Sequence, residues 1–210
     1  MVNAMGEIEA VLFDYGMVLS LGPDAGAWAR MKAVLGMDED ELHAAYWAHR
    51  DAYDCGRFTG AGYWDAVAGR ALDAGAKAEL LAADLDLWGQ LNLPMVEWAA
   101  RLQKAGVKTG VLSNIGDVMA EGLVERFVWL AEFTHCTWSH SLKTMKPDLA
   151  IYRHAVEGLG VEAASVLFVD DKAVNVEAAR EVGMRAVQYL GHEDFLARMK
   201  SEGLGDLLEV

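Results

Sequence analysis

Cysteine is scarce in this chain, with only Cys55 and Cys136 among 210 residues. They are far apart in sequence and lack metal-ligand spacing, so neither a disulfide framework nor a cysteine-held metal is expected, and a reducing cytoplasm fits. Both read as small hydrophobes rather than reactive thiols. Basic charge is also short. Eighteen Lys and Arg stand against 32 Asp and Glu, a formal charge of −14. Binding a phosphate backbone needs clustered cations that release counterions, so nucleic acid and anionic membrane are excluded as partners. The acidic excess is spread over solvated helix faces and reads as a solubility feature. The N-terminal MVNAMGEIEAVLFD has neither a basic opening nor a cleavable apolar stretch, and no run approaches a membrane span. The expected location is therefore the cytoplasm. Repeats, low-complexity segments and flexible linkers are absent as well.

What is present is ordinary globular material, 53% hydrophobic and 24% charged, enough for one α/β domain with a modest insertion. Five short apolar runs stand out: 8–14 (IEAVLFD), 108–113 (KTGVLS), 133–139 (FTHCTWS), 165–170 (SVLFVD) and 184–189 (MRAVQY). Nearly continuous hydrophobic strands between amphipathic helices predict a parallel sheet covered on both faces. Right-handed crossovers bring the carboxyl ends of such strands to one edge, where ligands bind. Between the first and second strands the chain reads as helices over 27–36, 39–56, 60–73 and 77–91, punctuated by Gly22-Pro23, Gly36 and Gly56. That is too long for a simple crossover. The expectation is a small all-helical cap over 19–92, inserted into a core formed by 1–18 and 93–210.

The polar residues closing the strands form a chemical set. Asp14 lies in FDYG, Ser113 and Asn114 close VLSN, Lys146 lies in MKPD, and Asp170-Asp171 close FVDD. A nucleophilic carboxylate, a hydroxyl donor, a cation and an acidic pair suit phosphoryl transfer through an aspartyl-phosphate. An ionised Asp14 repels a phosphate dianion, so a divalent ion must stand between them, with Lys146 offsetting the remaining charge. Hard oxygen donors suit Mg²⁺. Asp14 and Asp170 are the expected direct ligands, Asp171 a ligand or a partner of one, and Gly16 a donor through its backbone carbonyl. The Ser113 hydroxyl and Asn114 N–H are expected on the phosphate oxygens. Asn175 reads as part of the loop's hydrogen-bonding scaffold, and Lys143 competes with Lys146 for its role. In the insertion, Trp47, Arg50 and Tyr53 share a helix face. Arg50 is the best candidate there for substrate contact. A second reading, ranked ahead of it, has the aromatics packing the insertion and Arg50 pairing with a carboxylate. The six histidines show no metal spacing, and the methionines read as core filler.

FDYGMVL, VLSN, MKPDLAIY and LFVDDKAVNVEAAREVGM, in that order, resemble the four motifs of haloacid dehalogenase-like hydrolases, in the subfamily with a helical cap after the first strand. The resemblance spans Asp14 to Met184. It implies a Rossmann-like core, a Mg²⁺ cofactor, Asp14 as nucleophile, supporting roles for Ser113, Lys146 and Asp170, and a small phosphate ester as substrate. Most phosphatases of the family carry a second Asp two residues after the nucleophile, to protonate the leaving alkoxide. Gly16 stands there, which predicts slow turnover or better leaving groups, since such help is worth ~10²–10⁴-fold. Two alternatives stay open: a catalytically weak phosphate-binding or regulatory protein, and a metal-independent 2-haloacid dehalogenase. A monomer and a homodimer fit equally.

Overall fold

The computed structural model describes residues 8–210, so the N-terminal part of the first predicted core segment, 1–7, lies outside the described residues. Five parallel strands form one sheet in the order β3-β2-β1-β4-β5: β1 Ala10–Phe13, β2 Lys108–Ser113, β3 His135–Trp138, β4 Val166–Asp170 and β5 Arg185–Gln188. The expected α/β class with a parallel, helix-covered sheet holds. β1 is central, pairing with β2 from Ala10–Lys108 and with β4 from Ala10–Val166. The chain runs outward from β1 on one side and restarts beside it on the other, which opens a crevice beyond its carboxyl end. The strand predicted over 133–139 is shorter, because a 3₁₀ turn occupies Val128–Glu132 and Ser139 already begins the next helix.

Alternation along the strands divides the core between the two faces. Val11 and Phe13 of β1 join Val111, Leu167 and Val169 against α5 (Leu93–Lys104) and α10 (His192–Ser201), with Trp98 and Phe195 filling that side. Ala10 and Leu12 join Leu112, Val166 and Phe168 against α8 (Leu149–Leu159) and α9 (Ala173–Glu181). α6 (Asp117–Arg126) and the short α7 (Ser139–Leu142) complete the sheet's surroundings.

Four helices fill the stretch between β1 and β2: α1 Ala25–Leu35, α2 Glu39–Asp54, α3 Gly60–Ala68 and α4 Ala74–Leu87. Their limits follow local chemistry. Asp38 and Glu41 form a reciprocal capping box on α2, and Asp24, Thr59 and Asp73 cap α1, α3 and α4. The third helix stops at Ala68 rather than running to 73, because Gly69 takes a left-handed turn at φ 64°. The fourth starts three residues earlier than predicted and ends before Trp88.

The insertion is tied down at its stem and along its underside. At the stem, Asn92 N donates to Leu19 O (2.9 Å) and Leu21 N to Gln90 O (2.6 Å), and buried Asn92 Nδ2 donates to Val18 O and Tyr189 Oη. Underneath, the Tyr53 ring lies on the backbone of Gly116, where a Cβ would stand 2.0 Å from the ring. Close approach, not backbone angle, requires glycine there. Gly60 N donates to Asp117 Oδ1 at 2.9 Å, and Ser139 Oγ bridges Ile115 N and Asp54 O. The buried apolar cluster on this side of the sheet continues into the insertion through Leu42, Tyr46, Tyr63, Trp64 and Leu80. No helix among the described residues is long and apolar enough to cross a membrane.

Candidate active site

β1 ends at Phe13, and Asp14 N still donates to Val169 O (2.9 Å), so Asp14 leaves the sheet at its central edge. The following turn, Tyr15–Leu19, bends the chain away, with Met17 at φ 63°. β4 carries Asp170 to the adjacent position, and Asp171 follows. Oxygens of Asp14, Asp170 and Asp171 lie within 4.8 Å of one another. Three carboxylates so close, largely out of water, repel one another unless cations stand among them.

One such cation is Lys146. Its Nζ donates to Asp14 Oδ1 (2.8 Å), Asp170 Oδ2 (2.7 Å) and Leu112 O (2.9 Å). An ammonium has three hydrogens, and all three are used. Contact with a substrate therefore requires one of them to be shared. Burial alone lowers the Lys146 pKa, but Asp14 and Asp170 outweigh it and hold the group above the ordinary lysine range. The side chain also lies over the Phe168 ring, 5.6 Å from its centroid. Lys143 is exposed and donates to Gly56 O, away from the carboxylates.

Asp170 is wholly buried and heavily bonded. Its Oδ1 accepts from Lys172 N (2.8 Å) and Asn175 Nδ2 (2.9 Å), and its Oδ2 accepts from Lys146 and again from Asn175 (3.0 Å). Asn175 thus forms the scaffold expected of it. Asp14 is less well supplied: Tyr15 N and Lys146 both reach Oδ1. Burial pushes its carboxyl up to about 7, with Lys146 pulling back and Asp170 adding to the rise. Burial, then Asp170, also raises Asp171.

These groups open into one cavity of about 370 Å³, whose lining includes Asp14, Gly16, Ser113, Asn114, Lys146, Asp171 and, from the insertion, Arg50. The sequence-predicted residues are therefore together. Their uses differ in part from expectation. Besides the backbone N–H considered from sequence, the Asn114 side chain clamps the Lys146 backbone, Oδ1 accepting from Lys146 N and Nδ2 donating to Lys146 O. The Arg50 guanidinium is engaged inside the insertion. Nε donates to Asp54 Oδ1 at 3.0 Å, Nη1 reaches both oxygens of Asp84 at 3.2 Å, and Nη1 also bonds Tyr46 Oη. The rings of Tyr46, Tyr53 and Tyr63 surround it. The carboxylate-paired alternative describes this geometry, while Arg50 still lines the cavity.

Several contributors escape a reading of motifs. Ser139 ties the loop after β2 to the end of α2. Asp84 looks like a solvated helix acid, yet is fully buried. Its spacing with Leu80, Ala83 and Leu87, all buried, is the signal that places it on the inner face. Trp88, just past α4, lines the cavity beside Gly16, held by a 3.1 Å bond from its Nε1 to Tyr46 Oη.

The donor set fits a hard divalent cation: three converging carboxylates, a negative surplus that Lys146 does not cancel, and room beside them.

The chain is similar to several known proteins. The family model of haloacid dehalogenase-like hydrolases matches residues 61–183. A haloacid dehalogenase-like hydrolase domain-containing protein of Danio rerio is 37% identical over 81 residues, 38% of this chain and 33% of that protein. A phosphatase of Mycobacterium tuberculosis is 32% identical over 120 residues, 56% of this chain and 55% of its own length. The chain thus spans about a third to a half of these curated relatives. Among solved structures, a haloacid dehalogenase family enzyme of Bacteroides thetaiotaomicron superimposes with a TM-score of 0.76 at 19% identity, covering 92% of this chain and 99% of that one. The same enzyme has been crystallised with magnesium and inorganic phosphate. At that identity the likeness establishes the fold alone, whereas the family model covers more than half of the sequence. The chain belongs to the haloacid dehalogenase-like hydrolases.

Proposed function

We propose that the chain is a Mg²⁺-dependent phosphatase of small phosphomonoesters, working through an aspartyl-phosphate on Asp14. The observation that carries this reading is the meeting of Asp14, Asp170 and Asp171 oxygens beside the Lys146 ammonium, at the mouth of a cavity large enough for a phosphate ester. The magnesium and phosphate bound by the Bacteroides thetaiotaomicron enzyme support it.

In this reading Asp14 and Asp170 hold the ion, with Asp171 and the Gly16 carbonyl as further donors. Bound there, Mg²⁺ supplies the positive charge that keeps Asp14 ionised next to a phosphate dianion. The chain's own groups do the rest. Asp14 presents its second oxygen, free of Lys146, to phosphorus in line with the departing alcohol. Ser113 Oγ and Asn114 N–H hold non-bridging oxygens. Lys146, pinned by Asn114 and Leu112 O, orients Asp14 and spreads the negative charge. Water then cleaves the acyl phosphate, restoring Asp14. Gly16 supplies no proton to the leaving oxygen, so turnover favours alcohols that leave readily. The four helices over 19–92 serve as the cap that screens the reaction from bulk water, on a core of 1–18 and 93–210.

The test is release of nitrophenol from p-nitrophenyl phosphate with and without Mg²⁺, beside Asp14→Asn. The reading requires stimulation by Mg²⁺ and a fall of at least about 10³-fold in the variant, the scale of losing a covalent nucleophile. Equal rates for the two proteins would leave a phosphate-binding protein. Turnover of 2-haloacids in EDTA would establish the dehalogenase instead. Asp170 and Asp171 disfavour that outcome, because without a metal ion the acidic pair, only partly offset by Lys146, repels a carboxylate substrate.

A further inference from the structure

The cavity lining is of two kinds. Besides the phosphoryl groups it includes Met17, Trp47, Trp88, Ile115, Met119 and Met145. Met145, which the sequence presents as core filler, is one of these lining residues. Trp47 and Met17 are 45% and 42% exposed, so each offers apolar surface for a ligand to cover. The cations of the lining are already committed or lie at the phosphoryl side. Arg50 is engaged by Asp54, Asp84 and Tyr46, Lys146 is saturated, and Lys172 follows Asp171 in the chain. The same helix that carries Trp47, α2, brings two further acids, Asp51 and Asp54, to the lining. A second anionic group on the substrate would meet these carboxylates, while the lining cation without a bonded partner among the described residues, Lys172, adjoins Asp171.

Trp88 is built into this wall rather than lying loosely on it. Its Nε1 donates to Tyr46 Oη, its carbonyl accepts from Tyr15 Oη at 3.2 Å, and Tyr46 is in turn held by Asp84 at 2.8 Å. The buried ion set of the insertion thereby fixes the plane of an indole that borders the reaction site. Opposite it, Gly16 has φ −64° and ψ 132°, which any residue can adopt. A Cβ there would meet Trp88 Cζ3 at 4.0 Å, an ordinary contact. Backbone geometry does not demand glycine. With no side chain at Gly16, the space beside the Trp88 ring stays part of the cavity lining.

Building on the phosphatase reading, we propose that the site selects phosphomonoesters whose alcohol is apolar and uncharged, gripped between Trp88 and Trp47 and the methionine wall, and discriminates against sugar phosphates and carboxylate-bearing phosphates. Polar contacts at the phosphoryl end fix the ester, and area buried on the indoles and methionines supplies the selectivity.

Phenethyl phosphate, glucose 6-phosphate and phosphoglycolate, all esters of primary alcohols, separate recognition from leaving-group quality. With Mg²⁺, kcat/KM for phenethyl phosphate is expected to exceed the other two by at least about tenfold, the effect of burying one aromatic side chain. Calorimetry with phenethylphosphonate and methylphosphonate gives a readout free of turnover, with the larger ligand expected to bind about tenfold tighter or more. Trp47→Ala, at an exposed position, and Trp88→Leu should each shrink that advantage over methylphosphonate at least about threefold. A preference for glucose 6-phosphate or phosphoglycolate, or an advantage untouched in both variants, overturns the proposal and leaves the phosphatase reading standing. An intact phosphonate advantage without hydrolysis above Asp14→Asn does the reverse: the apolar wall stands and the phosphatase reading falls.

Discussion

Lys146 and Arg50 are both buried cations set between two aspartates, one beneath the strand ends and the other inside the helical insertion. In each set the carboxylates outnumber the cation, but the excess charge is handled differently. Around Arg50 it is met by protein: the Tyr46 hydroxyl bonds both Arg50 and Asp84, and three tyrosine rings close over the guanidinium. Around Lys146 a third carboxylate, Asp171, enlarges the excess, and the Asp14 side of the set faces the cavity. A satisfied ion set cross-links α2 to α4. An unsatisfied one leaves negative charge turned toward the cavity.

The sharpest way to break this comparison is to remove the insertion's cation. Arg50→Leu strands Asp54 and Asp84 in the interior and should cost about 3–5 kcal/mol of stability in urea unfolding. Replacing Arg50, Asp54 and Asp84 together by leucine should recover most of that loss, because the charges disappear as a set. A single-variant cost below about 1 kcal/mol would mean the set is not the cross-link described.

Next in size is a pH effect confined to Asp54. Burial pushes its carboxyl up to about 6, with Arg50 holding it back. The folded state then keeps this proton more tightly than the unfolded chain, so its contribution to stability is fully present at low pH and is lost as pH rises from about 4 to about 6. Relative to Asp54→Asn, the wild type should lose about 2–3 kcal/mol of unfolding free energy between pH 4 and 7. A constant difference between the two proteins would contradict the assignment. The smallest effect belongs to the surface version of the same arithmetic, with Asp86 held by Arg30 (2.6 Å) and Arg126 (2.7 Å), all more than a third exposed. Asp86→Asn should cost no more than about 1 kcal/mol, shrinking further in salt. Thermal unfolding at two ionic strengths measures it.

Much of the architecture was legible because strands such as 108–113 and 165–170 are apolar on both faces, and a covered parallel sheet admits little else. The meeting of Asp14 with Asp170 followed from topology, since both close neighbouring strands at the same edge. What the sequence concealed depends on which way a side chain turns. Asn114 presents its amide to the Lys146 backbone in addition to its main-chain N–H. Asp84 sits on the inner face of a helix whose sequence, AGAKAELLAADLDL, has small residues nearly all round and so blurs the apolar stripe. Trp88 lies in a short connector with no periodicity to orient it, and its place beside Gly16 comes only from tertiary bonds to Tyr46 and Tyr15.

The contact of the Tyr53 ring with the bare peptide of Gly116, and the bond from Gly60 N to Asp117 across the same boundary, give the molecule a built-in gauge of its own breathing. That amide cannot trade its hydrogen for deuterium while the bond to Asp117 holds. Its exchange rate therefore reports how often the start of α3 lifts from Asp117, with no ligand bound.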